Sequence, residues 1–177
     1  MATPGLVSPI QYLPNNVRAN LDLQYPSFIY DLKENLPYIT KKRSFTYSSN
    51  TNNPIVQKVF LIPGAFIFCS YNVLELVGFF DEYTFLYGEE RFLSYKIEKH
   101  NLSNYIILNE RYIHEHSKTI SSEASVLLQS KMMFDSRIKF AKIYRKDNIF
   151  KLSLLYITFY LLYYARKMKK YFLNRNR

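Results

Sequence analysis

Four of the chain's fourteen acidic residues, Asp81, Glu82, Glu89 and Glu90, stand between Phe79 and Lys96 among aromatics and one glycine. Carboxylates in such a setting are candidates for proton transfer. Glu89 and Glu90 are neighbours at the start of an expected helix, which sets them about 100° apart around its axis. They therefore cannot form the face-to-face acid/base pair of a glycosidase. One can be held by backbone donors or a basic neighbour while the other projects into a cleft as a general base. The plainer alternative is that two acids in a first turn complement the helix dipole, worth about 0.3 to 1 kcal/mol each. His114 and His116 fall on the same side of an extended segment, so one or both imidazoles can face a metal. Two histidines do not close a metal site, and further oxygen ligands would be needed. A surface histidine without a ligand stays open as the other reading.

The elements that must hold these residues follow from pattern. Phe92, Leu93 and Ile97 recur at helical spacing after Gly88, which predicts a helix from about Glu89 to His100. Ser70 caps a short helix over Tyr71 to Val77 that stops at Gly78. Before it, Val59 to Ile62 and Ala65 to Cys69 are apolar runs split by Pro63 and Gly64, which suits a buried strand with a kink. Gly64 either lets a ligand approach the backbone or is a bend glycine. Gly5 to Ile10 reads as a short strand, and nothing before it supplies a preceding strand and helix, so the chain is expected to begin in mid-architecture. Residues 11 to 53, with Pro14, Pro26 and Pro37 and a polar run at 48 to 53, read as a loop-rich, partly mobile crossing segment. Asn104 to Leu108 is the next strand, with Tyr112 and Ile113 a short edge piece. Helices are expected from Ser121 to about Arg145 and from Asp147 to Tyr171.

A length of 177 residues allows one ordinary domain and a tail. The single Cys69 provides neither a disulfide framework nor a zinc set, which points to a reducing compartment. Met1 to Gln11 has no secretory pattern. The net charge of +10 is not spread evenly: from Lys131 onward there are 13 Lys and Arg against Asp135 and Asp147, while the first 130 residues carry 11 basic and 12 acidic. A near-neutral domain with a cationic, aromatic-rich tail fits an anionic membrane surface better than nucleic acid. The apolar segment from Ile149 to Ala165, interrupted by Lys151 and followed by Arg166-Lys167-Met168-Lys169-Lys170, is at the short limit for spanning about 30 Å of hydrocarbon. An in-plane or shallow anchor is expected, with a buried core helix as the alternative.

Pro63-Gly64-Ala65-Phe66, Val77-Gly78-Phe79-Phe80-Asp81-Glu82, Phe85-Leu86-Tyr87-Gly88-Glu89-Glu90, Leu93 and Lys96, then Ile113-His114 and Ser117, follow one another in a pattern that resembles the acceptor-side half of family 2 glycosyltransferases. The resemblance covers roughly Gly5 to Ser122. It implies an α/β chain: part of a GT-A fold, with a mixed sheet and flanking helices over 1–122, and a helical, basic tail over 123–177. It also implies a nucleotide-sugar donor, a sugar or lipid-linked acceptor, and a divalent cation, Mn²⁺ or Mg²⁺. In that family the second acid of the Glu-Asp pair is the usual base. It maps onto Glu90, with Glu89 beside it as support or as the substitute base. Gly64, Asp81 and Glu82 would shape the acceptor pocket and His114 would approach the metal. Position 90 is Glu where Asp is commoner, a longer reach. The family's N-terminal half, with the Asp-x-Asp that holds metal and diphosphate, has no counterpart here. The resemblance therefore implies a truncated or split enzyme of cell-surface polysaccharide or lipid-linked sugar synthesis, needing a donor-half chain; the charge of the tail places it on the cytoplasmic face of the membrane and argues against a nucleic-acid partner. A non-catalytic membrane-associated or scaffold protein keeping the fold remnant is the alternative.

Overall fold

A computed structural model describes residues 4–19, 21, 23–36, 56–84, 87–115 and 123–175. Along these the chain is α/β, with a small mixed sheet and helices. It divides into two compact units, Met1–Tyr25 with Arg43–Ile120 and Pro26–Lys42 with Ser121–Arg177.

In the first unit, β1 (Pro4–Tyr12) lies parallel to β3 (Ser103–Ile113), and β2 (Val56–Val59) pairs antiparallel with β3 on its other side. Ladder partners jump from Pro9↔Ile107 to Ile10↔Arg111, so β3 bulges over Leu108 to Glu110. That bulge joins into one strand the two pieces expected at Asn104–Leu108 and Tyr112–Ile113. Helices α2 (Tyr71–Val77) and α3 (Glu89–Lys99) complete the unit. The core gathers Leu6 and Ile10 of β1, Val59 of β2, Leu61 and Ile62 after it, Val73 and Val77 of α2, Leu93 and Ile97 of α3, and Ile106 of β3. Burial of such side chains contributes about 1.5 to 3 kcal/mol each. Buried Asn104 stitches the sheet to the connection beyond β2: its Oδ1 accepts from the Leu6 N–H at 3.1 Å, and its amide donates to the Phe60 carbonyl at 2.6 Å.

The capped helix appears as expected. The Ser70 side chain accepts from the Val73 N–H, and Gly78 closes α2 with φ +75°. The expected second buried run does not. Beyond β2 the chain turns at Gly64 and Ala65, and only Phe68 returns to the sheet, through a pair of backbone bonds with Val7 at 2.8 and 2.9 Å. Phe66 and Phe68 are 42% and 69% exposed. A run of apolar residues was read as core, but its alternation puts the phenylalanines outward while Ile67 and Cys69 pack inward.

The second unit is helical: α1 (Phe28–Asn35), α4 (Glu123–Ile143) and α5 (Ile149–Arg175). Helix α1 lies in the segment expected to be a loop-rich crossing, and it groups with the C-terminal helices rather than with the sheet. Ser27 caps it by accepting from the Tyr30 N–H at 3.2 Å. Phe134, Ile138 and Leu155 form the core, with Phe28, Leu32, Leu152, Tyr156, Phe159 and Tyr160 packed around them. Phe134 and Phe159 stack at 3.9 Å with planes 1° apart. Arg145, just past α4, is buried and bonds Asp31 of α1 at 2.6 Å, Asp147 at 2.5 Å and the Pro26 carbonyl. Asn148 Oδ1 then accepts from the Lys151 N–H and opens α5. No helix among the described residues is long and apolar enough to cross a membrane.

Candidate functional site

Helix α3 aims the acidic pair. Gly88 adopts φ +87° ahead of it, a backbone that L side chains rarely take, and delivers Glu89 and Glu90 into the first turn. The helix buries Phe92, Leu93 and Ile97 in the core, so it cannot rotate without exposing them. Glu89 and Glu90 consequently diverge. Glu90 lies against the Pro63-Gly64 turn, so closely that a Cβ placed on Gly64 would stand 3.1 Å from Glu90 Oε2. This close approach explains a glycine at position 64 better than a bend alone. It brings together two residues that the sequence places 26 positions apart in a candidate site.

Burial pushes the Glu90 carboxyl above the ordinary carboxylate range, and the neighbouring Glu89 charge adds to the rise. The backbone amides of Glu90 and Gly88 and the Arg91 charge pull the other way without cancelling it. A carboxylate so poised holds a proton more readily than a solvated one, which is a property that suits a general base.

Asp81 is placed differently. Lys96, about two turns into α3, donates to Asp81 Oδ1 at 3.0 Å and to the Phe79 carbonyl, and both side chains are mostly buried. The pair ties the loop after α2 to α3, a bond that sequence spacing did not reveal although both residues sit in the recognised pattern. Glu82 is exposed and Glu89 half-buried.

The third side of the site comes from β3. Phe66, on the same turn as Gly64, packs on Tyr112 with ring centroids 5.3 Å apart, and the Tyr112 hydroxyl donates to Gln11 Oε1 at 2.7 Å. Two residues on, the His114 N–H donates to the Tyr12 carbonyl, so His114 marks the carboxyl end of the two parallel strands. In open α/β sheets this is the end at which ligands bind. Exposed Phe66, Phe79, Phe80 and Tyr83 stand on the connecting segments around the acidic loop. The sequence assigned none of them a role at the site, because local pattern does not tell an exposed aromatic from a buried one.

Among the described residues no three of His, Cys, Asp and Glu come together to hold a metal. His116, the second imidazole expected at the site, lies outside the described residues. Mg²⁺ and Mn²⁺ prefer several oxygen ligands, so His114 alone does not fit either ion. What the described residues can do chemically is take a proton at Glu90 and present exposed aromatic rings on the segments around the acidic loop. The chain matches no family model, no curated protein and no solved structure.

Proposed function

We propose that the first unit is the acceptor-side half of an inverting, nucleotide-sugar-dependent glycosyltransferase of the GT-A kind, resembling family 2. The observation that supports this is the Glu90 carboxylate, raised in pKa by burial and set against Gly64 near the carboxyl end of the parallel strands. Glu90 would accept the proton of an acceptor hydroxyl while that oxygen bonds to the anomeric carbon. The bond from that carbon to the diphosphate oxygen breaks, and the nucleoside diphosphate leaves with the electron pair. Gly64 leaves room for the carboxylate, Asp81 and Glu82 frame the acceptor side, and Glu89 stays as a supporting charge.

The donor nucleotide-sugar and the divalent cation, Mn²⁺ or Mg²⁺, belong with a completing donor half, to which this chain would add His114. The acceptor would be a cell-surface polysaccharide or lipid-linked sugar, met by a protein lying peripherally on the inner face of the membrane. The reading of another class, a non-catalytic scaffold retaining the fold, draws on the Asp81–Lys96 pair, which gives Asp81 a purely structural occupation.

The test is sugar transfer from labelled nucleotide-sugars, by the chain alone and with a chain carrying the missing donor-binding half. Transfer is expected only in the completed assembly, falling by about 10² to 10⁴ in Glu90→Gln and far less in Glu89→Gln. Silence in both settings, with donor binding intact in the partner, favours the scaffold.

A further inference from the structure

Helix α5 has two apolar faces. One carries Leu152, Leu155, Tyr156 and Phe159 into the core of the second unit. The other carries Phe150, Leu154, Ile157, Leu161, Tyr164, Met168 and Tyr171, all between 41% and 82% exposed. Their spacing alternates four and three residues without a break from 150 to 171, which draws one continuous stripe, drifting about 20° per heptad, along about six turns of helix. A surface helix ordinarily turns polar residues outward, and one that is apolar on both sides has the second side covered.

Charge decides between covers. The second unit carries 16 Lys and Arg against 5 Asp and Glu, while the first carries 8 against 9. Helix α5 itself contains six basic residues and no acid, and exposed Lys151 and Lys167 lie to either side of the stripe. A second copy of this helix would bring six positive charges against six, with no acid at the flanking positions to pair them. A duplex nucleic acid would satisfy the charge and leave the seven apolar side chains in water. An anionic bilayer surface satisfies both, with the stripe in the acyl boundary and the flanking lysines extended to the head groups.

We infer that the Phe150–Tyr171 stripe of α5 is an in-plane docking face for a bilayer rich in anionic lipid. This rests on the peripheral placement proposed above and is independent of sugar transfer. The experiment is flotation of the full chain with vesicles of phosphatidylcholine alone and of phosphatidylcholine with phosphatidylglycerol. The expected result is association with the anionic vesicles that weakens as salt rises. Ile157→Asp and Leu161→Asp, whose side chains are exposed so that the fold is kept, each weaken it about tenfold or more. Lys167→Gln with Lys170→Gln weakens it several-fold on anionic vesicles only. Circular dichroism checks that each variant is folded. Glu90→Gln leaves flotation unchanged, which separates this face from the proposed chemistry. No association of the folded wild type overturns both the placement and the face; association that survives Leu161→Asp overturns the face alone. A vesicle-independent dimer that Leu161→Asp dissolves assigns the stripe to a second copy, and duplex binding untouched by Leu161→Asp with no vesicle binding assigns the charge to nucleic acid. Either result overturns the inference.

Discussion

At the scale of single residues, Glu90 is a carboxyl whose pKa burial raises, and it lies against Gly64. A carboxyl whose folded pKa lies above its unfolded value keeps its proton longer in the native state. As pH rises between the two values the unfolded chain releases its proton first, so stability falls with rising pH across that window. Glu90→Gln is therefore expected to raise stability at neutral pH and to flatten this part of the pH profile, measured by denaturant unfolding across the acid to neutral range. An unchanged profile would show that the carboxyl is solvated. The same position predicts that transfer by the completed assembly rises with pH through an inflection above the ordinary carboxylate range. Gly64→Ala would set a methyl group 3.1 Å from Oε2, so that the carboxylate must give by a few tenths of an ångström. The expected outcome is a shifted Glu90 titration, read from its carboxyl ¹³C chemical shift, with little loss of stability. A titration identical to that of the parent chain would mean that the two residues do not touch.

At the scale of elements, what could be read in the sequence was whatever local chemistry determines. Ser70 and Gly78 bracket α2 because a hydroxyl satisfies an open N–H and a glycine accepts positive φ. Phe92, Leu93 and Ile97 define α3 because the helical period brings them to one face. Two elements escaped for opposite reasons. Helix α1 sits between Pro26 and Pro37, whose presence suggested loop, yet Ser27 caps it and Phe28 and Leu32, four apart, pack into the helical core. The run Ala65 to Cys69 looked like a strand, but the sheet offers it only the single bridge at Val7. Tertiary partners, which no local pattern contains, decided both. The Gly64–Glu90 contact belongs to the same class: each residue could be singled out, while their meeting depends on how α3 docks. The loop after α2 is held by Lys96, and this can be measured. In a double-mutant cycle of Lys96→Met and Asp81→Asn, a coupling of about 0.5 to 3 kcal/mol is expected from urea unfolding. Additive effects would reduce the pair to a contact without energetic coupling.

At the scale of the whole molecule, the two units differ in charge. The unit holding the acidic loop is close to neutral, and the helical unit holds the whole positive excess. Sequence charge made this asymmetry legible, while the membership of α1 shows that the division is by packing and not by position along the chain. Arg145 is the residue on which the second unit turns. Its side chain is 6% exposed and lies between the side chains of Asp31, 1% exposed, and Asp147, 5% exposed, so it joins α1 to the turn that links α4 with α5. Replacing a buried ion cluster as a whole is often tolerated, whereas removing one member strands the charges that remain. Arg145→Met leaves two carboxylates buried without their cation and is expected to cost about 3 to 5 kcal/mol. The triple variant with Asp31→Asn and Asp147→Asn should recover a large part of that loss. Hydrogen exchange places the effect: amides of α1 and of the ends of α4 and α5 that meet there lose protection, while those of β1, β3 and α3 keep theirs. Equal loss of protection in α3 would mean that the two units unfold as one cooperative body, and that the acidic site depends on the helical unit for its stability.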